Sequence, residues 1–336
     1  MTLKVGINGF GRIGRLVLRA LYESGRNDIE VVAINDPAPL DVNAHLLQYD
    51  SVQGRFPHEV STKDGNLIVK GNEIIFSHER DPSNIGWGDK GVDYVFECSG
   101  VFRSREKAQL HLDAGAKKVL ISAPAEGEDI TVVYGVNHNK LQGDHTIVSN
   151  ASCTTNCLAP VAHVLHENFG IKHGFMTTIH SYTGDQNIVD SAHKDLHRAR
   201  AGALSMIPTS TGAAKAVGLV LPDLKGKLDG TSIRVPTPTV SVIDFKLRTE
   251  KSVSVDAVND AIIEASNSNS LKGILGTYDV PLVSSDFIHD TRSSIFALKE
   301  TKVIDGDFVR ILSWYDNEWG FSNRMLDTAI AMKEAS

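Results

Sequence analysis

Cysteine is scarce in this chain, with three residues (Cys98, Cys153 and Cys157) among 336. That is too few for a disulfide framework and points to a reducing compartment. No apolar run reaches the eighteen or so residues a membrane span needs, and strand-like sequence follows Met1-Thr2 with no leader pattern between. A cytoplasmic protein is therefore expected. Basic charge is also in short supply. A formal net charge of −7 argues against nucleic acid or an anionic membrane as the main partner. Repeats and low-complexity tracts are absent. What remains is an ordinary globular composition, 41% hydrophobic and 22% charged, long enough for two domains with substantial cores.

The first forty residues carry a compact signal. Residues 3–7 (LKVGI) read as a short buried strand, followed by Gly9-Phe10-Gly11-Arg12-Ile13-Gly14 and then by Leu16, Val17, Ala20 and Leu21 at helical spacing. A second strand, 31–34, ends at Asn35-Asp36. A glycine pattern alone is weak evidence. Here it sits at a strand–helix junction with Asp36 22 residues beyond Gly14, near the spacing at which a carboxylate holds an adenosine ribose. Gly9 permits the tight turn, Gly11 lets backbone approach a pyrophosphate, and Gly14 lets helix and strand pack closely. The pyrophosphate charge would meet the helix N-terminus. Asp36 can accept from both ribose hydroxyls and would repel a 2′-phosphate, which favours NAD over NADP. Strand candidates at 93–97, 118–122 and 131–134, with a helix over 104–114, indicate an α/β fold with a doubly wound parallel sheet.

Residues 149–160, SNASCTTNCLAP, place Cys153 between a strand-like run and a segment that can open a helix. A thiol there faces unpaired backbone N–H groups and the positive end of the helix dipole, both of which favour thiolate. The plainer reading, a small buried hydrophobe, fits Cys157 better, four residues on. Pro160 is expected to disturb the helix. Later runs at 174–179, 231–235, 240–247 and 308–314, with helices at 212–221 and 255–265, suit an α+β domain with a largely antiparallel sheet. Residues 181–206 form a long polar stretch without periodicity, the mark of a functional or interfacial loop. A helix is expected over 323–335. The pairs His163/His166 and His193/His197 lack the glutamate and cysteines of zinc motifs and are read as surface residues, so no metal is expected. Lys194, Arg198 and Arg200 are read as loop or interface charges.

NGFGRIGR (8–15), SNASCTTNCLAP (149–160), HSYTGDQ (180–186), PTSTGAAKAV (208–217), RVPTPTVSVIDF (234–245) and WYDNEWGFSNRM (314–325) together resemble phosphorylating, NAD-dependent glyceraldehyde-3-phosphate dehydrogenases over nearly the whole chain. The resemblance implies a Rossmann-type domain over 1–151, joined by a C-terminal helix at 318–336, and a catalytic domain over 152–317. It also implies a homotetramer in which 181–206 reaches across an interface. The implied reaction oxidises glyceraldehyde 3-phosphate to a cysteine thioester, which inorganic phosphate cleaves to 1,3-bisphosphoglycerate, reversibly, in glycolysis or gluconeogenesis. Cys153 matches the nucleophile and His180 its base. Thr183, Asp185 and Arg234 match the pocket for the substrate phosphate, with Asp185 orienting the arginine. Ser152, Thr154, Thr211 and Gly212 match the subsite for inorganic phosphate, although Thr209 to Thr211 would also serve as a helix N-cap. Arg80, Ser99 and Ser122 join the glycine segment and Asp36 in the expected cofactor set, and Asn317 matches the residue that holds the nicotinamide carboxamide. A thiol shifted from about 8.5 to about 6 would go from roughly 3% to roughly 90% ionised at pH 7, a gain an imidazolium and a helix end could supply.

One departure stands out: family members specific for NAD commonly carry a bulky apolar residue and a proline where this chain has Ser191-Ala192. An NAD preference is still expected, because Asp36 acts directly at the 2′ position. The nearest alternative is erythrose-4-phosphate dehydrogenase, which lacks the counterparts of Tyr182-Thr183 and Ser210-Thr211-Gly212. A semialdehyde dehydrogenase should not need the Thr183/Arg234 pocket, and a non-catalytic nucleotide sensor should have lost Cys153 or His180.

Overall fold

Strands that are buried on both faces read as near-continuous apolar runs, and the first half of the chain folds accordingly. In the computed structural model, which describes residues 2–336, six of the parallel strands are β1 (Leu3–Asn8), β2 (Ile29–Asn35), β3 (Asn72–Ser77), β4 (Tyr94–Glu97), β5 (Lys118–Ile121) and β6 (Ile147–Ser149). They stand in the order β6-β5-β4-β1-β2-β3. Val5 of β1 lies between Val31 of β2 and Tyr94 of β4. The chain leaves β1 toward β2 on one side and later returns to pair β4 on the other. A crevice opens at such a reversal, beyond the carboxyl ends of the strands.

Helix α1 (Arg12–Glu23) follows β1 directly and buries Leu16, Val17, Ala20 and Leu21. The turn between them demands glycine. A Cβ at Gly14 would lie 2.2 Å from the Gly9 carbonyl oxygen, and Gly9 has φ +88. Helix α2 (Arg105–Asp113) starts at Ser104, whose hydroxyl accepts from Lys107 N–H. The strand expected over 131–134 shrinks to Ile130–Thr131. Just beyond it the Asn137 side chain accepts from Val133 N–H at 2.8 Å, taking that donor out of the ladder.

The chain divides into two compact units. Of the described residues, one comprises 2–132, 138–152 and 322–336; the other comprises 133–137 and 153–321. The second is built on an eight-stranded mixed sheet. Its centre is β7 (Ile171–Ser181), β8 (Leu228–Val235), β9 (Ser241–Thr249) and β10 (Phe308–Tyr315). β7 runs parallel to β8, whereas β7–β9 and β9–β10 are antiparallel. Against it lie α3 (Cys153–Phe169) and α4 (Ala213–Val220). Pro160 does not break α3, which runs unbroken through it. Leu158, Val161, Ala162 and Leu165 around the proline are fully buried, and that burial outweighs a ring penalty of about 3 kcal/mol.

The last helix, α5 (Trp319–Glu334), begins four residues before the start at 323 that apolar spacing suggested and one after the 318 that the resemblance implied. Asp316 is the cause: its Oδ1 accepts from the N–H groups of Glu318 and Trp319 at 3.0 and 2.9 Å. Within the first unit Thr328 of this helix donates to Asn150 Oδ1 at 2.8 Å, and Asp327 pairs with Arg26 at 2.6 Å. No helix among the described residues is long and apolar enough to cross a membrane.

Candidate active site

Cys153 is the first residue of α3, and His180 lies near the end of β7. Their Sγ and Nε2 atoms are 3.6 Å apart. His180 Nδ1 is 2.7 Å from the Ser181 carbonyl oxygen, which can only accept. Nδ1 therefore carries the hydrogen, and Nε2 turns a lone pair to the thiol. The backbone N–H groups at the start of α3 also point at the sulfur.

The sequence suggested a thiol acidified by a helix terminus. Burial reverses that sign. It pushes the Cys153 thiol up, against the opposing pull of Arg234 and of hydrogen bonds from Thr154 and the backbone. It also pushes His180 down to about 3, helped by the positive charges of Arg234 and Arg198 and opposed by the Ser181 carbonyl. Either charge alone is disfavoured. The charged state these two groups can reach together is a thiolate–imidazolium pair, made by passing one proton from Sγ to Nε2.

Parallel register brings Arg234 of β8 beside His180 of β7. Arg234 Nη1 donates to the Ser181 carbonyl at 3.1 Å and to Thr183 Oγ1 at 3.3 Å, so arginine and threonine form one polar edge next to the base. Asp185 departs from its expected role. Its carboxylate does not bond Arg234; it accepts from Arg198 Nη1 at 2.6 Å and faces His193 Nε2 at 3.5 Å. Arg198, read from sequence as a loop charge, also donates to Thr209 Oγ1 at 3.0 Å. The reassignment follows from the fold of the irregular stretch 182–206, which brings a second guanidinium to the carboxylate first.

Thr154 also departs from expectation. Its hydroxyl turns inward, 2.8 Å from Tyr315 Oη and 4.0 Å from Cys153 Sγ, so what it offers an outside anion is backbone. Tyr315 is buried, and its hydroxyl is also 2.9 Å from Thr178 Oγ1. Sequence reading missed this tyrosine; the strict in–out alternation of β10 marks it as inward-facing. Thr211 and Gly212 open α4, with Thr211 Oγ1 accepting from Ala213 N–H at 3.2 Å and Gly212 as the capping residue, so the cap falls on 211–212 rather than on 209–211 as a block. That helix start is tied to α3 by the Thr155 hydroxyl, which donates to Ala213 O at 3.3 Å. Ser152 is the residue immediately before α3. Asn317 Oδ1 accepts from Ser181 and Ser241 hydroxyls at 2.9 and 3.2 Å, which leaves its Nδ2 as a free donor. Val240, next to Ser241, holds φ +64, a strained state for a β-branched residue.

In the first unit a cavity of about 380 Å³ opens at the carboxyl ends of β1, β2 and β4, lined among others by Gly9, Gly11, Asp36, Arg80, Cys98 and Ser99. Space lies open over Gly11, where a Cβ would meet nothing within 4 Å. Asp36 Oδ2 accepts from Phe10 N–H at 2.7 Å, while Oδ1 accepts from Ala38 N–H at 2.9 Å and from Asn43 Nδ2 at 3.4 Å, so Oδ2 keeps a lone pair for a ribose hydroxyl. A glycine turn, an open helix start and a carboxylate at the end of β2 fit a dinucleotide. Not every expected residue contributes a side chain. Phe10 is fully buried and stacks edge-on against Phe76. Arg12 pairs with Asp50. Ile13 and Gly14 belong to the first turn of α1. Ser122 stands behind Cys98 and donates its N–H to Glu97 O.

Comparison with known proteins agrees with this geometry. Residues 3–105 match the family model described as glyceraldehyde 3-phosphate dehydrogenase, NAD binding domain, and residues 152–317 match the model of that family's C-terminal domain. The chain is 64% identical over 332 residues, 99% of both chains, to glyceraldehyde-3-phosphate dehydrogenase of Xanthobacter flavus. It is 62% identical over the same length and coverage to that of Cereibacter sphaeroides. It is 58% identical over 330 residues, 98% of both chains, to that of Geobacillus stearothermophilus.

Proposed function

The chain belongs to the glyceraldehyde-3-phosphate dehydrogenase family, and from that premise we propose how its own residues carry out the reaction. It is an NAD-dependent enzyme that oxidises glyceraldehyde 3-phosphate with inorganic phosphate to 1,3-bisphosphoglycerate. Relatives of that name at 54 to 64% identity disfavour the erythrose-4-phosphate alternative.

Cys153 Sγ gives its proton to His180 Nε2 and adds to the aldehyde carbon, and the imidazolium returns that proton to the new alkoxide. His180 Nε2 then takes the hydroxyl proton of the hemithioacetal as the carbon is oxidised to a thioester. Bound NAD supplies the two-electron acceptor. Inorganic phosphate adds to the thioester carbonyl, the C–S bond breaks, and the thiolate is restored. Arg234 and Thr183 hold the substrate's phosphate, with the charge of Arg198 close by. Ser152, the Thr154 backbone, Thr211 and Gly212 hold inorganic phosphate, where hydroxyls and N–H groups bind an anion without ion-pairing its nucleophilic oxygen. Gly9 to Gly14, Asp36, Arg80, Ser99 and Ser122 would hold the cofactor, and Asn317, whose Nδ2 has no protein partner among the described residues, would donate to the cofactor's carboxamide. In this assignment 1–151 with 318–336 binds cofactor, and 152–317 performs the chemistry.

The observation that carries this reading is the 3.6 Å approach of Cys153 Sγ to a His180 Nε2 whose tautomer is set by Ser181 O. The test mixes enzyme, NAD and glyceraldehyde 3-phosphate with and without phosphate. Without it we expect a burst of about one NADH per active subunit, and with it steady turnover. Steady turnover without phosphate, or no adduct on Cys153 by mass spectrometry of trapped enzyme, would refute the scheme.

The stretch 182–206 exposes Ile188 (85%), Leu196 (82%) and Leu204 (83%), more apolar surface than a free loop should carry. It supports a homotetramer in which these side chains are covered by other subunits. Light scattering that returns the mass of one chain at micromolar concentration would rule that out.

A further inference from the structure

Beneath the cavity of the first unit lies a buried polar chain that the chemistry above does not use. Glu97, the last residue of β4, is 1% exposed, and His111 of α2 is 0% exposed. Trp87 Nε1 donates to His111 Nδ1 at 3.1 Å. Since Nδ1 accepts, Nε2 carries the ring hydrogen and donates to Glu97 Oε2 at 3.0 Å. The same oxygen accepts from Asn8 Nδ2 at 2.6 Å. Glu97 Oε1 accepts from the Ser99 N–H at 2.8 Å and from the Ser99 hydroxyl. Every bond to the carboxyl group is one it accepts, so it acts as a carboxylate.

Three members of this chain also form the cavity wall: Asn8, Asn35 and Ser99. Asn35 Nδ2 donates to Asn8 Oδ1 at 2.9 Å, linking β2 to β1 and through Asn8 to Glu97. The Ser99 hydroxyl, committed to Glu97, accepts from Val101 N–H at 3.1 Å, which sets the turn toward Phe102, another wall residue. Ser99 thus presents its backbone to a ligand. That backbone is already as near the glycine turn as it can come, since a Cβ on Gly9 would lie 2.5 Å from Ser99 Cα. A small movement of the wall therefore changes the width of the site.

We propose that Glu97 is the positioning residue of the dinucleotide site: its buried carboxylate, backed by His111 and Trp87, holds the wall at 98–102 against the glycine turn at the spacing the cofactor requires. The inference rests on NAD binding in this unit. Two features separate it from plain stabilisation. One carboxylate satisfies donors from β1, α2 and the wall together, and a buried network acts as a unit when all its members are satisfied. The residues it holds touch the cavity, whereas Glu97 does not line it.

The test is Glu97→Gln in the full-length enzyme. The amide turns a donor toward either the Ser99 pair or the Asn8/His111 pair, so one pair loses its acceptor. We expect Kd for NAD by calorimetry and KM for NAD each to rise about tenfold. At saturating NAD, kcat per titratable Cys153 should stay within about twofold, and the KM for glyceraldehyde 3-phosphate should not move. A fall in Tm with unchanged Kd and KM for NAD would overturn the proposal and leave Glu97 a stabilising residue. If Glu97→Gln does not fold, His111 takes its place. His111→Gln keeps an acceptor for Trp87 and a donor for Glu97 and should bind NAD as wild type, whereas His111→Leu severs both bonds and should weaken it severalfold. Equal affinity in those two variants would overturn the proposal. Wild-type enzyme that bound no NAD would instead refute the cofactor assignment itself.

Discussion

Replacing His180 with asparagine tests the central claim about the nucleophile, that its reactivity comes from a proton acceptor held against it rather than from an intrinsically acid thiol. Burial lifts the Cys153 thiol above its ordinary range even with Arg234 pulling the other way. An unassisted thiol at or above about 8.5 is at most a few per cent ionised at pH 7. In the wild type the missing ionisation is supplied internally, because Sγ can pass its proton to a lone pair 3.6 Å away. His180→Asn removes that acceptor while keeping a polar side chain of similar reach. Alkylation of Cys153 by iodoacetamide should then slow by about 30-fold or more at pH 7, about 2 kcal/mol. The rate should recover about tenfold per pH unit on raising the pH toward the thiol's own ionisation. The wild type should show a much flatter profile over the same range. The NADH burst should slow by more than alkylation does, since the base acts again on the hemithioacetal proton, a step typically worth 10²–10⁴. Alkylation of the variant within threefold of wild type at pH 7, or two parallel pH profiles, would refute the reasoning.

Acid stability should respond to the same substitution. His180 titrates near 3 in the folded chain against an ordinary value of 6.5, so unfolding takes up a proton between those limits. Its stabilising contribution is complete above about 6.5 and lost as the pH falls toward 3, at up to about 1.4 kcal/mol per pH unit. The urea midpoint of His180→Asn should fall less steeply over that window, and an equal slope would contradict the burial argument. Arg234→Leu should raise KM for glyceraldehyde 3-phosphate about 100-fold, the loss of charged hydrogen bonds worth about 3 kcal/mol, and leave unphosphorylated glyceraldehyde nearly unaffected. An equal effect on both aldehydes would remove Arg234 from the phosphate pocket. Asp36→Asn should narrow the preference for NAD over NADP by about tenfold, about 1.4 kcal/mol, in kcat/KM. An unchanged ratio would shift specificity elsewhere, with Ser191-Ala192 the first place to look.

Features that depend on a few consecutive residues were legible in the chain itself. The glycine turn follows from Gly9 and Gly14 lying within one strand–turn–helix segment, and Asp36 from its place at the end of the next strand. Cys153 at the head of α3 follows from the same short-range logic. The mixed, largely antiparallel second sheet could be expected from its β-branched runs, although Pro160 misled, since local ring sterics say nothing of the burial that holds α3 together. The six blocks named the family that the matched models and relatives also give.

Tertiary structure decided the rest, because register and desolvation are not properties of a segment. Only the pairing of β7 with β8 sets Arg234 beside His180. Only the path of 182–206 gives Asp185 to Arg198, and only the inward face of β10 turns the Thr154 hydroxyl to Tyr315. The direction in which Cys153 shifts depends on the volume of protein around it, which outweighs the helix end that the sequence makes visible. The carboxylate under the dinucleotide cavity joins β1, β4 and α2, three elements separated in the chain and brought together by the strand order. The sequence therefore determined which chemical groups this protein possesses and the local turns that present them. Folding determined which of them meet, and how far from water.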